Sequence, residues 1–309
     1  MRVLLVHNPS AGKEDHPREE LLAILRLAGH DVTYCSTKSD DFPDMLDEPV
    51  ELIAIAGGDG TVRKVVTRLK RRDMPLAILP LGTANNVARS LGLDRDLQQL
   101  VSGWAEHRTA RLDIGIAEWS GETRAFVEAV GAGALAAITS DKVGGELEGE
   151  KRLLVGRDAL RERLEKAQPL DMDIEIDGRP AEGSWLLIEV LNISYTGPAL
   201  PLGSRAHSGD GALDLVAVAE DRRDEMRAWL GAPDDSGPPV HSLRGSHVRL
   251  AWSSKPALRI DDKLLDIGKG RGEIDIRLQK EPLTVLLPPQ DRPTPSAGEA
   301  RGRRPLEDA

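Results

Sequence analysis

The sequence is short of residue types that several large classes of protein need. One cysteine, Cys35, stands among 309 residues, so an intrachain disulfide and a cysteine zinc cluster are both excluded. Phe, Trp and Tyr together make up 3% of the chain, too little for a platform that stacks single-stranded nucleic acid. Because 41 Lys and Arg face 51 Asp and Glu, the net charge of −10 argues against a general nucleic-acid binder.

Long hydrophobic runs are also missing from the sequence. The longest apolar stretch, AVGAGALAAI at 129–138, is interrupted by glycine and is too short to cross a bilayer. The N-terminal MRVLLVHNPSAGK becomes polar after five apolar-rich positions, so no signal peptide is predicted. Together with the single cysteine, these features lead us to expect a cytoplasmic protein without a transmembrane segment.

The hydrophobic pattern predicts two domains and a tail. In residues 1–112, short apolar runs alternate with helix-like segments, which is typical of an α/β domain with a parallel sheet. From 113–289, short β-rich runs predict a sandwich-like antiparallel domain, interrupted by helices near 150–167 and 221–230. The last segment, 290–309, lacks apolar periodicity and is predicted to be disordered.

A glycine-rich turn connects the strand ELIAIA to the helix that follows it. Gly57, Gly58 and Gly60 surround Asp59, and Thr61 begins the helical segment TVRKVVTRLKRR. Glycines let the backbone approach a ligand closely and direct its N–H groups at phosphate oxygens. Phosphates bind where a strand of an open α/β sheet meets a helix, so the turn predicts a phosphate site. The carboxylate of Asp59 then requires a divalent cation or a hydroxyl donor between itself and the phosphates.

Two further loops follow neighbouring strands in the same way. The loop after MPLAILP carries Gly82, Thr83 and Asn85, although Thr83 could serve simply as a helix N-cap. The loop HNPSAGK (7–13) follows the first strand and contains Asn8, but it lacks the spacing of a Walker A loop. Because parallel strands end at one edge of their sheet, the three loops predict a single site.

The three loops together resemble the diacylglycerol kinase and sphingosine kinase family, which includes bacterial lipid kinases. That family carries N-P-x-S-G, G-G-D-G-T and P-x-G-T-x-N-D-x-A-R motifs in this order. The chain has NPSAG (8–12), GGDGT (57–61) and PLGTANNVAR (80–89). Downstream, LDIG (112–115) and the segment 192–215, which ends in DGALDL, are similar to the family's β domain. GGDGT alone is shared with NAD kinases, whereas the whole set is specific.

The resemblance implies an ATP-dependent lipid kinase with its active site in the cleft between the two domains. It implies a structural Mg²⁺ held by Asp210 with the carbonyls of His207 and Ala212. The lipid substrate is expected at the membrane surface, which the protein would contact transiently at the inner face. No motif names the lipid or sets an oligomeric state. The residues implied for nucleotide binding are Asn8, Thr37 (or its neighbour Ser36), Gly57, Gly58, Asp59, Gly60, Thr61, Gly82, Thr83 and Asn85.

Three positions depart from the family pattern. The family's proposed general base is the glutamate of D-G-E, and LRIDDKLLD aligns Asp261, Asp262 and Lys263 with those letters. A protonated lysine cannot accept the proton of an attacking hydroxyl. In addition, Asn86 replaces the aspartate of G-T-x-N-D, and Glu128 replaces the asparagine of F-x-N.

These departures leave several hypotheses open. Asp262 or Asp261 could act as the base from a shifted position, or the loose transition state of phosphoryl transfer could need little base assistance. Alternatively, the chain is a pseudoenzyme that binds nucleotide or lipid, or it is an NAD kinase-like enzyme. The candidate catalytic residues are Asp59, Asp261, Asp262 and Lys263.

Overall fold

The computed structural model of the chain describes residues 1–14, 16–106, 108–139, 147, 149–203, 206–233 and 236–288. The segment 290–309, predicted to be disordered, lies outside these residues. The strands are β1 (Arg2–His7), β2 (Asp31–Ser36), β3 (Leu52–Gly57), β4 (Leu76–Pro80), β5 (Thr109–Leu112), β6 (Gly115–Trp119), β7 (Glu122–Phe126), β8 (Ala129–Gly133), β9 (Met172–Ile176), β10 (Arg179–Pro180), β11 (Trp185–Leu191), β12 (Leu213–Ala219), β13 (His241–Gly245), β14 (His247–Trp252), β15 (Leu258–Ile260), β16 (Lys263–Leu264), β17 (Gly272–Leu278) and β18 (Leu283–Leu286).

The helices of the described residues are mostly short. The α-helices are α1 (Arg18–Leu27), α2 (Phe42–Met45), α3 (Asp59–Val66), α4 (Asn86–Ser90), α5 (Leu97–Ser102), α6 (Ala134–Thr139), α7 (Gly149–Lys166) and α8 (Arg223–Gly231). The 3₁₀ helices are Ala11–Glu14, Gly103–Glu106 and Glu220–Arg222. None of the described helices combines the length and apolar character that a bilayer crossing requires.

The first domain is built on a six-stranded sheet of order β2-β1-β3-β4-β18-β5. Strands β1 to β4 pair in parallel, as the alternation of strands and helices predicted. All six residues of β3 are buried, which explains why it reads as the continuous apolar run LIAIAG rather than as an alternating strand. The α/β class predicted for this domain is confirmed.

The last strand of the described residues belongs to this first sheet, which the sequence did not predict. Strand β18 pairs in parallel with β4 and antiparallel with β5, so it fills the gap between them. Leu283 and Val285 are fully buried in the core of the first domain. Residues 283–286 therefore belong to the first domain, and the predicted second-domain range 113–289 is wrong for them. The run LTVLL predicts a strand, but a local pattern cannot indicate which sheet that strand joins.

The second domain packs two antiparallel six-stranded sheets face to face. Their orders are β10-β9-β14-β17-β6-β7 and β13-β12-β11-β8-β15-β16. Strand β11 is buried on both faces: Ile188 points into the core between the sheets, and Leu187 packs on the opposite side with Leu160 of α7 and Met226 of α8. The predicted sandwich-like class is confirmed.

We expect Val285→Ala to destabilise the protein by about 2 kcal/mol, because it removes two buried methyl groups and leaves a cavity in the first core. Its neighbour Thr284 is only partly buried, and Thr284→Ala should cost less than about 1 kcal/mol. Urea unfolding of both variants measures the difference. Equal losses of unfolding free energy would contradict the position of Val285 in that core.

Candidate active site between the two domains

The loops after β3 and β4 meet through their glycines. A Cβ atom built on Gly82 would lie 2.5 Å from the Cα of Gly58, so no larger residue fits there without moving the loops apart. Asn85 fixes the second loop from a left-handed conformation, with φ of 48°. Its side chain accepts a hydrogen bond from the Gly82 N–H at 2.9 Å and donates one to the Gly82 carbonyl at 2.8 Å. The two predicted loops are thereby brought together at one edge of the sheet.

A polar cavity of about 460 Å³, named the loop cavity, is bounded by these two loops and the loop after β1. Three cationic side chains, Lys38, Lys64 and Arg152, contribute to its wall. Positive side chains beside exposed backbone N–H groups are the surroundings that phosphate groups prefer. The lining residues are Asn8, Ser10, Ala11, Gly12, Thr37, Lys38, Gly58, Gly60, Thr61, Lys64, Gly82, Thr83 and Arg152.

A second cavity, of about 350 Å³ and named the domain cavity, is lined by residues of both domains. Gly60, Thr83 and Arg152 line both cavities, so the two are adjacent. One part of the domain cavity carries carboxylates, and another part is apolar. The lining residues are Asp59, Gly60, Thr83, Ala84, Asn86, Glu128, Leu135, Ile138, Thr139, Arg152, Leu153, Gly156, Gly197, Pro198, Arg259, Asp261 and Asp262.

Asp59 lies at the first turn of α3 and lines the domain cavity. Its Oδ1 atom accepts a hydrogen bond from the Val87 N–H at 2.9 Å, which ties the first glycine loop to helix α4. Burial between the domains, followed by the negative charge of Glu128, raises the pKa of Asp59 to about 6. A carboxylate with this pKa is ionised at neutral pH and is a stronger base than an ordinary aspartate.

A buried arginine, Arg259 on β15, organises the wall contributed by the second domain. It is 2% exposed, and its Nη2 atom donates to Glu189 Oε2 at 2.7 Å and to Thr196 Oγ1 at 2.6 Å. Its Nη1 atom donates to Glu128 Oε1 at 3.3 Å and to the Asp261 carbonyl. Burial raises the pKa of Glu189 to about 7, although the charge of Arg259 acts in the opposite direction.

Asp261, one of the predicted catalytic residues, is held by the backbone of the neighbouring strand. Its carboxylate accepts hydrogen bonds from the N–H groups of Val127, Glu128 and Ala129, the shortest of them 2.8 Å from Glu128. Burial and then the charge of Glu128 raise the pKa of Asp261 to about 7. The carboxylate therefore fixes the position of Glu128 in addition to lining the cavity.

The other two residues of the predicted base motif are largely exposed. The Asp262 side chain is 54% exposed and lies 3.0 Å from Arg63 Nη2 and 3.2 Å from Lys263 Nζ. The Lys263 side chain is 58% exposed and lines neither of the two cavities. Asp262 does line the domain cavity, so of these two residues only the aspartate borders the candidate site.

Not every residue implied for nucleotide binding lines the loop cavity. Gly57, Asp59 and Asn85 do not. Gly57 ends β3, where a Cβ would lie 2.4 Å from Thr61 Oγ1, and Asn85 acts through its hydrogen bonds to the second glycine loop. These two residues shape the loops, while Asp59 lines the adjacent cavity.

The residues implied for structural magnesium lie near one another but line neither cavity. Asp210 Oδ1 accepts from the Ala212 N–H at 3.1 Å, and Oδ2 forms an ion pair with Arg244. The His207 carbonyl accepts the Asp210 N–H at 3.3 Å. Within the described part of the chain, no three His, Cys, Asp or Glu residues are grouped as metal ligands. A magnesium ion bound by one carboxylate and carbonyls stays a prediction.

Sequence reasoning missed the three cationic residues of the loop cavity. Lys64 lies one helical turn after Gly60, so the helical period could have indicated it. Lys38 directly follows Thr37, which the motifs did indicate. Arg152 comes from α7 in the second domain, and no motif connects that helix to the glycine loops.

Comparisons with known proteins agree with this architecture. Residues 2–117 match the diacylglycerol kinase catalytic domain, and residues 129–280 match the YegS C-terminal NAD kinase beta sandwich-like domain. A diacylglycerol kinase of Bacillus subtilis is 28% identical over 261 residues, 80% of either chain. A diacylglycerol kinase of Staphylococcus carnosus is 28% identical over 230 residues, 70% of this chain and 72% of that protein.

Solved structures show the same fold at lower identity. A diacylglycerol kinase of Bacillus anthracis aligns with a TM-score of 0.67 at 20% identity, over 93% of this chain and 97% of that one. Yeast NADH kinase complexed with NADH aligns with a TM-score of 0.52 at 11% identity, over 93% of this chain and 83% of that one. The two matched domains follow one another in this chain as the sequence motifs predicted. The chain therefore carries a domain of the diacylglycerol kinase catalytic type, joined to a YegS-type β-sandwich domain.

Proposed function

We propose that this chain is an ATP-dependent lipid kinase that transfers the γ-phosphate of ATP to a lipid hydroxyl in the domain cavity. The supporting observation is that a polar, cationic cavity and a cavity with an apolar wall share Gly60, Thr83 and Arg152. A phosphate chain in the first cavity would end beside an acceptor in the second, as in-line transfer requires. The relatives named diacylglycerol kinase are consistent with this reaction.

The loop cavity fits the phosphates of a nucleotide. Its glycine loops approach so closely that a Cβ on Gly58 would lie 3.0 Å from Gly82, which leaves backbone N–H groups accessible. Lys38 and Lys64 would hold phosphate oxygens, and Arg152 would neutralise charge at the junction of the two cavities. Magnesium bound with ATP supplies further charge neutralisation.

The domain cavity fits an apolar acceptor with a single reactive hydroxyl. Leu135 and Ile138 of α6 and Leu153 of α7 form an apolar wall that can contact an acyl chain. Nicotinamide dinucleotides expose many polar groups, which that wall would leave without partners. A lipid therefore suits the cavity better than NAD does. Because such a substrate resides in a bilayer, we expect transient peripheral contact with a membrane.

We assign the general base to Asp59. It lines the domain cavity next to the shared residues, and its pKa of about 6 suits proton removal at neutral pH. Asp261 accepts three backbone N–H groups, and Asp262 forms ion pairs with Arg63 and Lys263. Asp59 also accepts backbone N–H groups, but it directly precedes Gly60, which lines both cavities, and its carboxylate therefore lies next to the proposed phosphate site.

Replacing Asp59 by Asn should lower kcat about 100-fold or more, because the amide cannot accept the hydroxyl proton. Transfer is measured with γ-labelled ATP and Mg²⁺ against diacylglycerol, phosphatidylglycerol, a sphingoid base and NAD. Binding of ATP, measured by calorimetry, should persist. The control is Asp73→Asn, an exposed aspartate that pairs with Arg71 outside both cavities.

Each outcome of that panel separates one candidate function from the others. Label found only in NAD would reject the lipid kinase in favour of an NAD kinase-like enzyme. ATP binding by the native chain without transfer to any acceptor would favour the pseudoenzyme. Unchanged transfer in the Asp59→Asn variant would reject Asp59 as the base.

The value of kcat/KM should rise with pH through about 6, where Asp59 loses its proton. Burial and Glu128 raise the pKa of Asp59, and only the ionised carboxylate can accept a proton, so activity is lost on the acid side. Initial rates between pH 5 and pH 8 at saturating ATP measure this limb. An acid limb near the ordinary aspartate pKa of about 4 would contradict the assignment.

We further propose that Asp210 binds Mg²⁺ with the His207 and Ala212 carbonyls. Mg²⁺ at 100 times its Kd should then raise the unfolding free energy of the native chain by about 2.7 kcal/mol, and its thermal midpoint should rise accordingly. Asp210→Asn should abolish this increase. Asp221→Asn, an exposed aspartate on the same domain, should retain it. An equal Mg²⁺ response in both variants would reject the site.

A further inference from the structure

Two departures from the family pattern face each other in the structure. Asn86 stands where the G-T-x-N-D motif has aspartate, and Glu128 stands where F-x-N has asparagine. The residues are 42 positions apart, yet Asn86 Nδ2 donates a hydrogen bond to Glu128 Oε2 at 2.8 Å. A carboxylate and an amide are thus both present, with their positions exchanged between helix α4 and the residue that precedes strand β8.

The surroundings fix the orientation of both side chains. Glu128 Oε1 accepts from Thr196 Oγ1 at 2.8 Å, from the Gly197 N–H at 2.9 Å and from Arg259 Nη1 at 3.3 Å. The second N–H of the Asn86 amide donates to the Gly197 carbonyl at 3.0 Å. Because both neighbours of this amide group are acceptors, the nitrogen must face them.

Exchanging a carboxylate and an amide at only one of the two positions would disturb this contact. Aspartate at position 86 would place carboxylate oxygens against the Glu128 carboxylate and the Gly197 carbonyl, with no donor between them. Glutamine at position 128 would remove the only carboxylate of the pair. The two residues are therefore coupled in a way that the separate motifs do not indicate.

We propose that Glu128 is a positioning residue for Asp59, and that Asn86 and Glu128 form an exchanged pair that keeps one carboxylate and one amide at this contact in the active site. This inference rests on the proposed function. Asn86, Glu128 and Asp59 line the same cavity. The carboxylate that the family motif has at position 86 is then not lost but moved to position 128.

The expected action of Glu128 is electrostatic. Its negative charge lies in the same cavity as Asp59 and favours the protonated form of that aspartate. The other charged groups that line this cavity or pair with its carboxylates are Arg259, Glu189, Asp261, Asp262, Arg63 and Arg152. All of them stay in place in the variants described next, so a change in the titration of Asp59 reports on positions 86 and 128.

The test is a double-mutant cycle in the full chain, with Asn86→Asp, Glu128→Gln and the double variant. Each single change should lower kcat about tenfold or more: Asn86→Asp adds a negative charge to the cavity, and Glu128→Gln removes one. The double variant N86D/E128Q replaces each group by one of the same shape and should recover about tenfold relative to N86D. Recovery should be incomplete, because the Gly197 carbonyl then faces a carboxylate.

A second readout separates positioning from simple structural damage. Carbon-13 NMR titration of the Asp59 carboxyl, assigned with Asp59→Asn, should show its pKa lowered in E128Q, raised in N86D and returned towards the native value in the double variant. The acid limb of kcat/KM should move in the same directions. Glu118→Gln, which removes an exposed carboxylate paired with Arg277, is the matched control and should move neither.

The outcomes distinguish this inference from the proposed function. A double variant no faster than the slower single variant, with an unshifted Asp59 titration in all proteins, would overturn the exchanged pair. If the native chain transfers no phosphate while the Asp59 titration moves as described, the proposed reaction fails and the exchanged pair stands. Thermal midpoints within a few degrees of the native value confirm that each variant is folded.

Discussion

The buried guanidinium of Arg259 is the interaction on which the site depends. A charge buried this deeply is tolerated only with paired carboxylates and filled hydrogen bonds, and Arg259 has Glu189, Glu128, Thr196 and the Asp261 carbonyl. These partners come from separate strands and loops of the second domain. The arginine therefore holds one wall of the domain cavity in a single arrangement.

The site separates charge between two adjacent cavities. Lys38, Lys64 and Arg152 make the loop cavity cationic, whereas Asp59 and Glu128 place negative charge in the domain cavity. In the proposed reaction, the first cavity would attract anionic phosphates and the second would attract the proton released from the acceptor. The residues between the cavities include a glycine, Gly60, which adds no side chain at the junction.

Sequence patterns predicted those features of the protein that are formed by residues close together in the chain. The glycine loops were found because strand, turn and helix follow one another within about 15 residues of sequence. The contact between Asn86 and Glu128 spans 42 positions, and Arg152 lies on a helix of the other domain, so neither had a local signal. Lys263 aligns with the glutamate of the D-G-E motif, but its exposed position follows from the β15–β16 turn, which the motif does not describe.

The return of β18 to the first sheet has a consequence for how the protein is made. Strands β1 to β4 leave the ribosome early, but the strand that joins β4 to β5 is among the last described residues to be synthesised. Until then both strands present open edges in the nascent chain. Of the two domains, the first in sequence is thus completed after the sandwich has already been translated.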